Sequence, residues 1–351
     1  MSAEGAGVPS LAVVGHLQYE VWKATVLKTA LELDIFTHVS RGAADLGTLA
    51  MRTGCDRRGL RVLLDALCPL ELLSKTGATY QLTPESEYYL VRDRPEFYGD
   101  WSLRTQLAWD VRGRSAEAVR TGVAVGGDFA SPGSQEIWTG DFARALRTWP
   151  ARVDAVLEFW HKLGIGVEET PGLHVLDAAC GPGVKSFALA RADPQARVTA
   201  FDFPAMLELA RKVAEAMGVA DRVRFLGGDV VEDALGDGEY DVVFFGFILY
   251  YFSGERLAGI LRRARQALRP GGMLVVNEYV ADEERCRNEG ALMAAFQLLL
   301  FAPDSEVRTL AEYRAMLEDA GFVDVAMLGE TLISARRPGQ AGGEVSGSRS
   351  A

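Results

Sequence analysis

The residues best suited to chemistry lie in one stretch, residues 174–186, which reads His-Val-Leu-Asp-Ala-Ala-Cys-Gly-Pro-Gly-Val-Lys-Ser. A short apolar run ends at Asp177, a turn passes through Gly181 and Gly183, and a helical pattern begins near Ser186. This order predicts a buried strand, a tight turn and a helix start, which bring backbone N–H groups close to a bound ligand. Glycine is needed where a Cβ would block the ligand or where φ must be positive.

A second acidic residue, Asp202, follows the next apolar run, about 20 residues beyond the glycines, where a strand-end carboxylate suits ribose hydroxyls. The dinucleotide fingerprint G-x-G-x-x-G is incomplete, because Ser186 stands at its third glycine. Asp177 would repel a pyrophosphate but suits a ligand that carries an ammonium and a sulfonium. The pattern resembles the first motif of class I S-adenosylmethionine (SAM) dependent methyltransferases. A glycine turn without a ligand is the alternative.

Composition limits the class of protein. A chain of 351 residues predicts two domains, and 48% hydrophobic with 24% charged residues is typical of soluble globular proteins. The net charge of −11 argues against a nucleic-acid partner, which needs a basic surface. We expect no membrane partner, because no apolar run approaches the roughly 20 residues that span a bilayer. The N-terminus lacks the basic segment of a signal peptide, so the expected location is the cytoplasm.

The four cysteines are scattered and form no C-x-x-C pair. This spacing favours small buried side chains in a reducing compartment over a disulfide framework or a zinc site. We therefore expect no metal.

The N-terminal part predicts a winged helix over residues 10–100, preceded by a disordered segment, 1–9. Apolar spacing indicates a long helix at 11–33, and residues 45–67 show a helix-turn-helix pattern. A small hairpin around Gly77 completes the wing.

A winged helix has two possible uses. Arg57, Arg58 and Arg61 would suit a DNA-binding regulator, but Asp56 and Asp65 offset much of their charge. The alternative is a dimerisation domain, which the long apolar first helix favours.

Residues 101–170 are largely helical and rich in aromatic side chains, with a loop at Ser131–Ser134. Most of these aromatics suit core packing, yet aromatics beside a cofactor domain also suit a flat or apolar acceptor molecule. We expect this segment to link the domains and to roof the substrate pocket.

Residues 171–337 alternate strand and helix, which predicts an α/β fold with a mainly parallel, doubly wound, seven-stranded sheet. Such sheets bind ligands outside the carboxyl ends of their strands, where Asp177, Asp202 and Asp229 all fall. Residues 338–351 are expected to form a disordered tail. The strands are predicted at Val175–Asp177, Val198–Asp202, Val223–Leu226, Val242–Phe245, Met273–Val280, Val323–Leu328 and Leu332–Ala335.

From about Gln18 to Arg337 the chain resembles the small-molecule O-methyltransferase family that includes plant phenolic and bacterial polyketide enzymes. That family combines an N-terminal winged-helix dimerisation domain with a Rossmann-like SAM-binding domain, so the resemblance implies a homodimer, SAM as the cofactor and a small-molecule acceptor. The motifs that carry it, in order, are Val175–Gly183, Phe201–Pro204, Gly227–Val230, Tyr240–Phe245, Leu268–Gly272 and Arg308–Glu312.

The resemblance implies a SAM site made of strand ends. For Asp229 the alternative is a turn-capping role after two glycines. The implied contacts are Asp177, Gly181 and Gly183 at the methionine part, Asp202 at the ribose, Phe203, Asp229 and Val230 at the adenine, and Phe245 and Gly246 at the sulfonium.

The chain departs from the family at the general base. O-methylating members carry a histidine in a pattern like S-H-x-L-H-D-W, whereas this chain reads Gly246–Phe252 with Tyr250 at that position. A tyrosine with a pKa near 10 is a poor base but can orient an acceptor. The family's acid in E-R-T is displaced by one residue to Glu306, and Glu278 remains as a carboxylate that could polarise the acceptor. We take these three as the catalytic candidates.

Loss of the histidine shifts the expected reaction toward C- or N-methylation, or toward an acidic hydroxyl. We expect SAM-dependent methyl transfer to an aromatic or unsaturated small molecule in secondary metabolism, including antibiotic biosynthesis. An enzyme that keeps SAM only as a structural cation, such as a decarboxylase, hydroxylase or cyclase, is one alternative. A winged-helix DNA-binding regulator is the other.

Overall fold

The computed structural model describes residues 10–128, 138, 142–166 and 168–339. The predicted disordered segment 1–9, the predicted loop at Ser131–Ser134 and the tail from residue 340 onward lie outside the described residues. The chain divides into two compact units, Met1–Arg112 and Gly113–Ala351.

The first unit has the predicted helices and hairpin. Asp45 and Asp56 cap two of its helices, because their side chains accept from backbone N–H groups of the first helical turn. Gly77, with φ of +60°, turns the hairpin. The elements are α1 Ala12–Glu32, α2 Ile35–Ser40, α3 Leu46–Thr53, α4 Arg57–Leu67, β1 Leu73–Thr76, β2 Thr79–Leu82, α5 Pro84–Tyr89, α6 Gly99–Arg104 and α7 Trp109–Arg112.

Helix α1 is apolar on surfaces that its own unit leaves exposed. Only Ala30 and Leu31, near its end, are buried. Leu17 is 63% exposed and Trp22 is 68% exposed. A row of exposed apolar side chains on one helix marks an interaction surface.

The second unit begins with helices and continues as an alternating α/β domain. Apolar clusters on both faces of its sheet form the core. The helices are α8 Ser115–Thr121, α9 Ala145–Thr148, α10 Val153–His161, α11 Val184–Ala192, α12 Pro204–Met217, α13 Gly254–Ala267, α14 Glu289–Phe301 and α15 Leu310–Asp319, with short 3₁₀ turns at Trp149–Arg152, Ala220–Arg222 and Leu249–Tyr251.

The sheet of the second unit has seven strands in the order β10-β11-β7-β6-β3-β4-β5. Strands β3, β4, β5, β6 and β7 pair in parallel, and β11 runs antiparallel to both of its neighbours. The predicted α/β fold with a mainly parallel sheet is thereby confirmed. The strands are β3 His174–Ala178, β4 Arg197–Asp202, β5 Val223–Gly227, β6 Tyr240–Gly246, β7 Leu268–Asn277, β10 Val323–Leu328 and β11 Leu332–Arg336, and a separate pair is formed by β8 Val280–Ala281 and β9 Arg308–Thr309.

This topology brings the carboxyl ends of β7, β6, β3, β4 and β5 side by side, because adjacent parallel strands end at the same edge. In the described part of the chain, no helix is both long and apolar enough to span a membrane.

Candidate functional site

The turn after β3 uses three residues with positive φ: Ala179 at +59°, Gly181 at +56° and Gly183 at +72°. Gly183 starts helix α11, and a Cβ built on it would lie 2.3 Å from the ring of Phe187. The helix therefore packs closely against the turn only because position 183 is glycine.

Asp202, at the end of β4, joins that turn to the next strand. Its Oδ2 accepts from the Gly181 N–H at 2.8 Å, and its Oδ1 accepts from the Phe203 N–H at 2.7 Å. Burial raises the pKa of Asp202 to about 6, against the lowering effect of these two N–H groups. The carboxylate is therefore ionised at neutral pH and fixed in orientation, with lone pairs left for further donors.

Asp177 lies beneath the turn. It is 2% exposed, and its Oδ2 accepts from the Ser186 hydroxyl at 2.6 Å. Burial raises its pKa to about 7, although Ser186 and the charge of Lys185 lower it. The direct contact of Asp177 is thus with the first turn of α11, where it holds the glycine turn in place.

Near the end of β5, Asp229 is partly exposed and Val230 is 7% exposed. The Oδ1 of Asp229 accepts from the Val231 N–H at 2.8 Å, which is the contact expected of a turn-capping aspartate. Val230 packs in the core cluster with Phe201.

The turn after β6 is strained and is held by the end of β7. Phe245 is fully buried, and Phe247 has φ of +57°, which is rare for a bulky side chain. The Phe247 N–H donates to the Asn277 carbonyl at 2.9 Å. Such strain persists where surrounding contacts over-determine the backbone, and it often marks a functional site.

Glu278 supplies the next two contacts of this turn. Its Oε1 accepts from the N–H groups of Ile248 and Leu249 at 2.8 and 2.7 Å. The side chain is 0% exposed, and its Oε2 has no hydrogen-bond partner among the described residues. Burial raises the pKa of Glu278 to about 8, although both N–H groups lower it. At neutral pH it is a protonated acid that can donate a hydrogen bond.

Tyr250 lies beside Glu278 in a group of tyrosines. It is 8% exposed, and its ring centroid lies 4.6 Å from that of Tyr251 and 6.0 Å from that of Tyr279. Burial, aided by the neighbouring tyrosine and carboxylate groups, raises the pKa of Tyr250 well above its ordinary value. Tyr250 is therefore a neutral phenol and a hydrogen-bond donor, not a base.

Glu306 contacts this group through its backbone. Its N–H donates to the Tyr250 carbonyl at 2.8 Å, while its half-exposed carboxylate pairs with the buried Arg308 at 2.9 Å. Arg308 also donates to the Phe252 carbonyl. The Glu306 side chain thus acts as an ion partner of an arginine that fastens the segment after Tyr250.

Lys185 also lies at the site, although no sequence motif predicted a role for it. Its Nζ donates to Asn277 Oδ1 and lies 5.4, 5.5 and 4.9 Å from the ring centroids of Phe159, Phe244 and Phe247. The sequence feature that could have drawn attention to Lys185 is its position in the first helical turn after two glycines, within a run of apolar or small residues.

An aromatic pair lies over the glycine turn. Trp138 and Phe142 are stacked at 5.6 Å between centroids, and a Cβ built on Gly181 would lie 3.4 Å from the Phe142 ring. Trp138 also contacts Tyr251 edge to face at 6.3 Å. This pair therefore links the turn after β3 to the tyrosine group after β6.

The donor set fits SAM. The oriented, ionised Asp202 can accept from two vicinal hydroxyls, and glycines at 181 and 246 leave the strand ends without side chains. A Cβ at Gly246 would lie 2.9 Å from the Phe244 ring, so the position has no room for a larger residue. In the described part of the chain, no group of acidic, histidine and cysteine side chains has the arrangement of a metal site.

Both the N-terminal and the C-terminal parts of the chain match models of known protein families. Residues 169–323 match the model of the O-methyltransferase domain, and residues 16–92 match that of the O-methyltransferase dimerisation domain. The tetracenomycin polyketide synthesis 8-O-methyl transferase TcmO of Streptomyces glaucescens is 33% identical over 92% of this chain and 96% of its own. The N,N-dimethyltransferase OxyT of Streptomyces rimosus is 29% identical over 90% of this chain and 93% of its own.

The fold is also that of solved structures. Human N-acetylserotonin methyltransferase, solved in complex with SAM, superimposes with a TM-score of 0.70 at 22% identity, over 96% of this chain and all of the other.

Proposed function

Because this chain belongs to the O-methyltransferase family and is a SAM-dependent methyltransferase, we propose that it methylates an aromatic or otherwise unsaturated small molecule of secondary metabolism. One observation carries the assignment of the cofactor site. The ionised carboxylate of Asp202 is held by the Gly181 and Phe203 N–H groups at the carboxyl edge of the sheet, and its remaining lone pairs can accept from ribose hydroxyls.

In this proposal one set of residues holds the donor SAM and another set orients the acceptor. When bound, SAM supplies an electrophilic methyl group on its sulfonium. Asp202, with Gly181 and Gly183, positions the donor, while Phe245 and Gly246 face the sulfonium and Phe203, Asp229 and Val230 surround the adenine. Tyr250 and the protonated Glu278 donate hydrogen bonds that orient the acceptor. Catalysis then depends mainly on alignment, which accelerates a two-reactant step strongly.

The protonation states narrow the acceptor. Burial raises the pKa values of both Tyr250 and Glu278, so neither group accepts a proton readily at neutral pH. An acceptor that needs no strong base fits best: an electron-rich carbon, an amine, or an acidic phenol or enol. TcmO is named as a polyketide synthesis 8-O-methyl transferase and OxyT as an N,N-dimethyltransferase, so oxygen and nitrogen acceptors both occur among the relatives.

The function is tested by incubation with methyl-labelled SAM and a panel of hydroxylated, aminated and unsubstituted polycyclic aromatics. We expect label in a product whose mass has risen by one methylene. Turnover without a gain in mass would instead support an enzyme that keeps SAM as a structural cation.

We further propose that Trp138 and Phe142, in the later part of segment 101–170, roof the pocket. Their support is the contact of Phe142 with the glycine turn and of Trp138 with Tyr251. We propose a cytoplasmic location, because Cys55, Cys68 and Cys180 are free and partly buried.

The dimerisation domain leads us to propose a homodimer through helix α1, whose exposed apolar side chains need a cover. Replacing Leu17 and Trp22 with Glu should halve the mass measured by light scattering, because two charges would be buried at the interface. Met51→Glu is the control, since Met51 is 78% exposed on α3 of the same unit. An unchanged dimer in the double variant would place the interface elsewhere.

A further inference from the structure

Lys185 is a half-buried cation whose ammonium is surrounded by aromatic rings and an amide. Three phenylalanine rings surround its Nζ, and Asn277 Oδ1 accepts one of its protons. Asn277 is itself oriented, because its Nδ2 donates to the carbonyl and the hydroxyl of Thr331 at 3.1 Å each. The amide oxygen is thus turned toward Lys185 by its neighbours.

The charge of Lys185 is not balanced by a direct partner. No carboxylate of the described residues lies within salt-bridge distance of its Nζ, although the charges of Asp177 and Glu278 act on it from farther away. Burial lowers the pKa of Lys185 to about 8, while burial raises those of Asp177 and Glu278 to about 7 and 8. Near neutral pH Lys185 is therefore largely a cation, Asp177 is close to the midpoint of its titration, and Glu278 is largely protonated.

The Lys185 ammonium lies between the turn after β3 and the end of β6. Lys185 follows the glycine turn of β3, yet a Cβ built on Gly246, at the end of β6, would lie 3.8 Å from its Nζ. The cation therefore lies where the turn that would hold the methionine part meets the strand end that would face the sulfonium. An ammonium has three donors, and Asn277 uses one of them.

We propose that Lys185 binds the carboxylate of the methionine part of SAM and of its product, S-adenosylhomocysteine. This inference rests on the proposed function. An anionic group at this point gives the half-buried cation the charged partner that the described residues do not provide. The phenylalanine rings stabilise the ammonium meanwhile by cation–π contact and keep it near the strand ends.

The test compares two donors that differ by one group: SAM and decarboxylated SAM, which keeps the ammonium and the sulfonium. Calorimetry gives the dissociation constant of each for the wild-type protein, for Lys185→Met and for the control Lys212→Met on the exposed face of α12. We expect Lys185→Met to reduce the preference for SAM over decarboxylated SAM by about tenfold or more, as loss of a charge-assisted contact does. Lys212→Met should keep the wild-type preference.

The ratio of the two dissociation constants distinguishes loss of the carboxylate contact from a general loss of folded protein, which would weaken the binding of both donors. If Lys185→Met weakened both donors equally, or neither, the carboxylate contact would be refuted and Lys185 would only hold the turn at Phe247. If the wild-type protein bound no SAM at all, the proposed function itself would fail. Lys185→Gln, which keeps a polar end toward Asn277, provides the same comparison if the methionine variant does not fold.

Discussion

The carboxyl ends of β3 and β4 differ from those of β6 and β7 in how their polar groups are satisfied. At the β3–β4 edge, both oxygens of Asp202 accept from backbone N–H groups, and Asp177 accepts from Ser186. At the β6–β7 edge, Phe247 adopts a strained φ, and Glu278 keeps one buried oxygen without a partner among the described residues.

The two edges are therefore suited to different ligands. A carboxylate fixed by short local contacts presents an unchanging surface, which suits a cofactor that is the same in every turnover. A buried acid with one unused oxygen is unfavourable by itself and gains by pairing with a ligand, which suits a variable acceptor.

Asp202→Ala should weaken the binding of SAM at the β3–β4 edge. Hydrogen bonds to a charged group contribute about 1.5–3 kcal/mol each, so loss of a ribose contact should weaken SAM binding by roughly one to two orders of magnitude in calorimetry.

The matched control for that variant is Asp193→Ala. Asp193 is 3% exposed and accepts from the N–H groups of Gly172 and Gln195 at 2.7 and 2.8 Å, near the amino end of β4. It should lower thermal stability comparably but leave the affinity for SAM unchanged. Equal SAM affinity in the wild-type protein and Asp202→Ala would remove Asp202 from the ribose site.

Sequence patterns predicted the fold and the β3–β4 edge well, because these depend on local order along the chain. Apolar runs predict strands, Gly181 and Gly183 predict the turn, and Asp202 follows its strand directly. The role of Asp177 is harder to predict, since its partner Ser186 faces it only after α11 has packed.

The β6–β7 edge depends on contacts between distant segments, which no local pattern contains. Glu278, which follows β7, accepts from the N–H groups of Ile248 and Leu249, which follow β6. Lys185, in the helix that follows β3, donates to Asn277 at the end of β7. Residue type and position therefore marked Tyr250 and Glu278 as candidates but did not reveal their protonation states, and no local pattern assigned a role to Lys185.

Tyr250→Phe should affect the β6–β7 edge alone. Removing the phenol takes away one donor that orients the acceptor, so kcat should fall about tenfold while the dissociation constant for SAM stays the same. Tyr240→Phe is the control, because Tyr240 is 1% exposed at the opposite end of β6. If Tyr250→Phe turned over at the wild-type rate, Tyr250 would be a packing residue only.

Glu278→Gln should change the pH dependence of stability. Burial raises the pKa of Glu278 from 4.5 to about 8, so the folded state binds a proton that the unfolded state releases between these values. Wild-type stability that is fully present below pH 4.5 is lost as the pH rises toward 8. Glutamine keeps the acceptor for Ile248 and Leu249 but cannot ionise. The melting temperature of Glu278→Gln should therefore rise relative to wild type by roughly 2–4 °C between pH 5 and 8 for each kcal/mol that the ionisation removes.

Glu215→Gln, on the exposed face of α12, is the control and should show no such trend. A constant difference in melting temperature between Glu278→Gln and wild type across this pH range would mean that Glu278 is ionised in the folded protein. The β6–β7 edge would then hold a carboxylate that can accept a proton, and acceptors with ordinary hydroxyl groups would fit the site as well as carbon and nitrogen do.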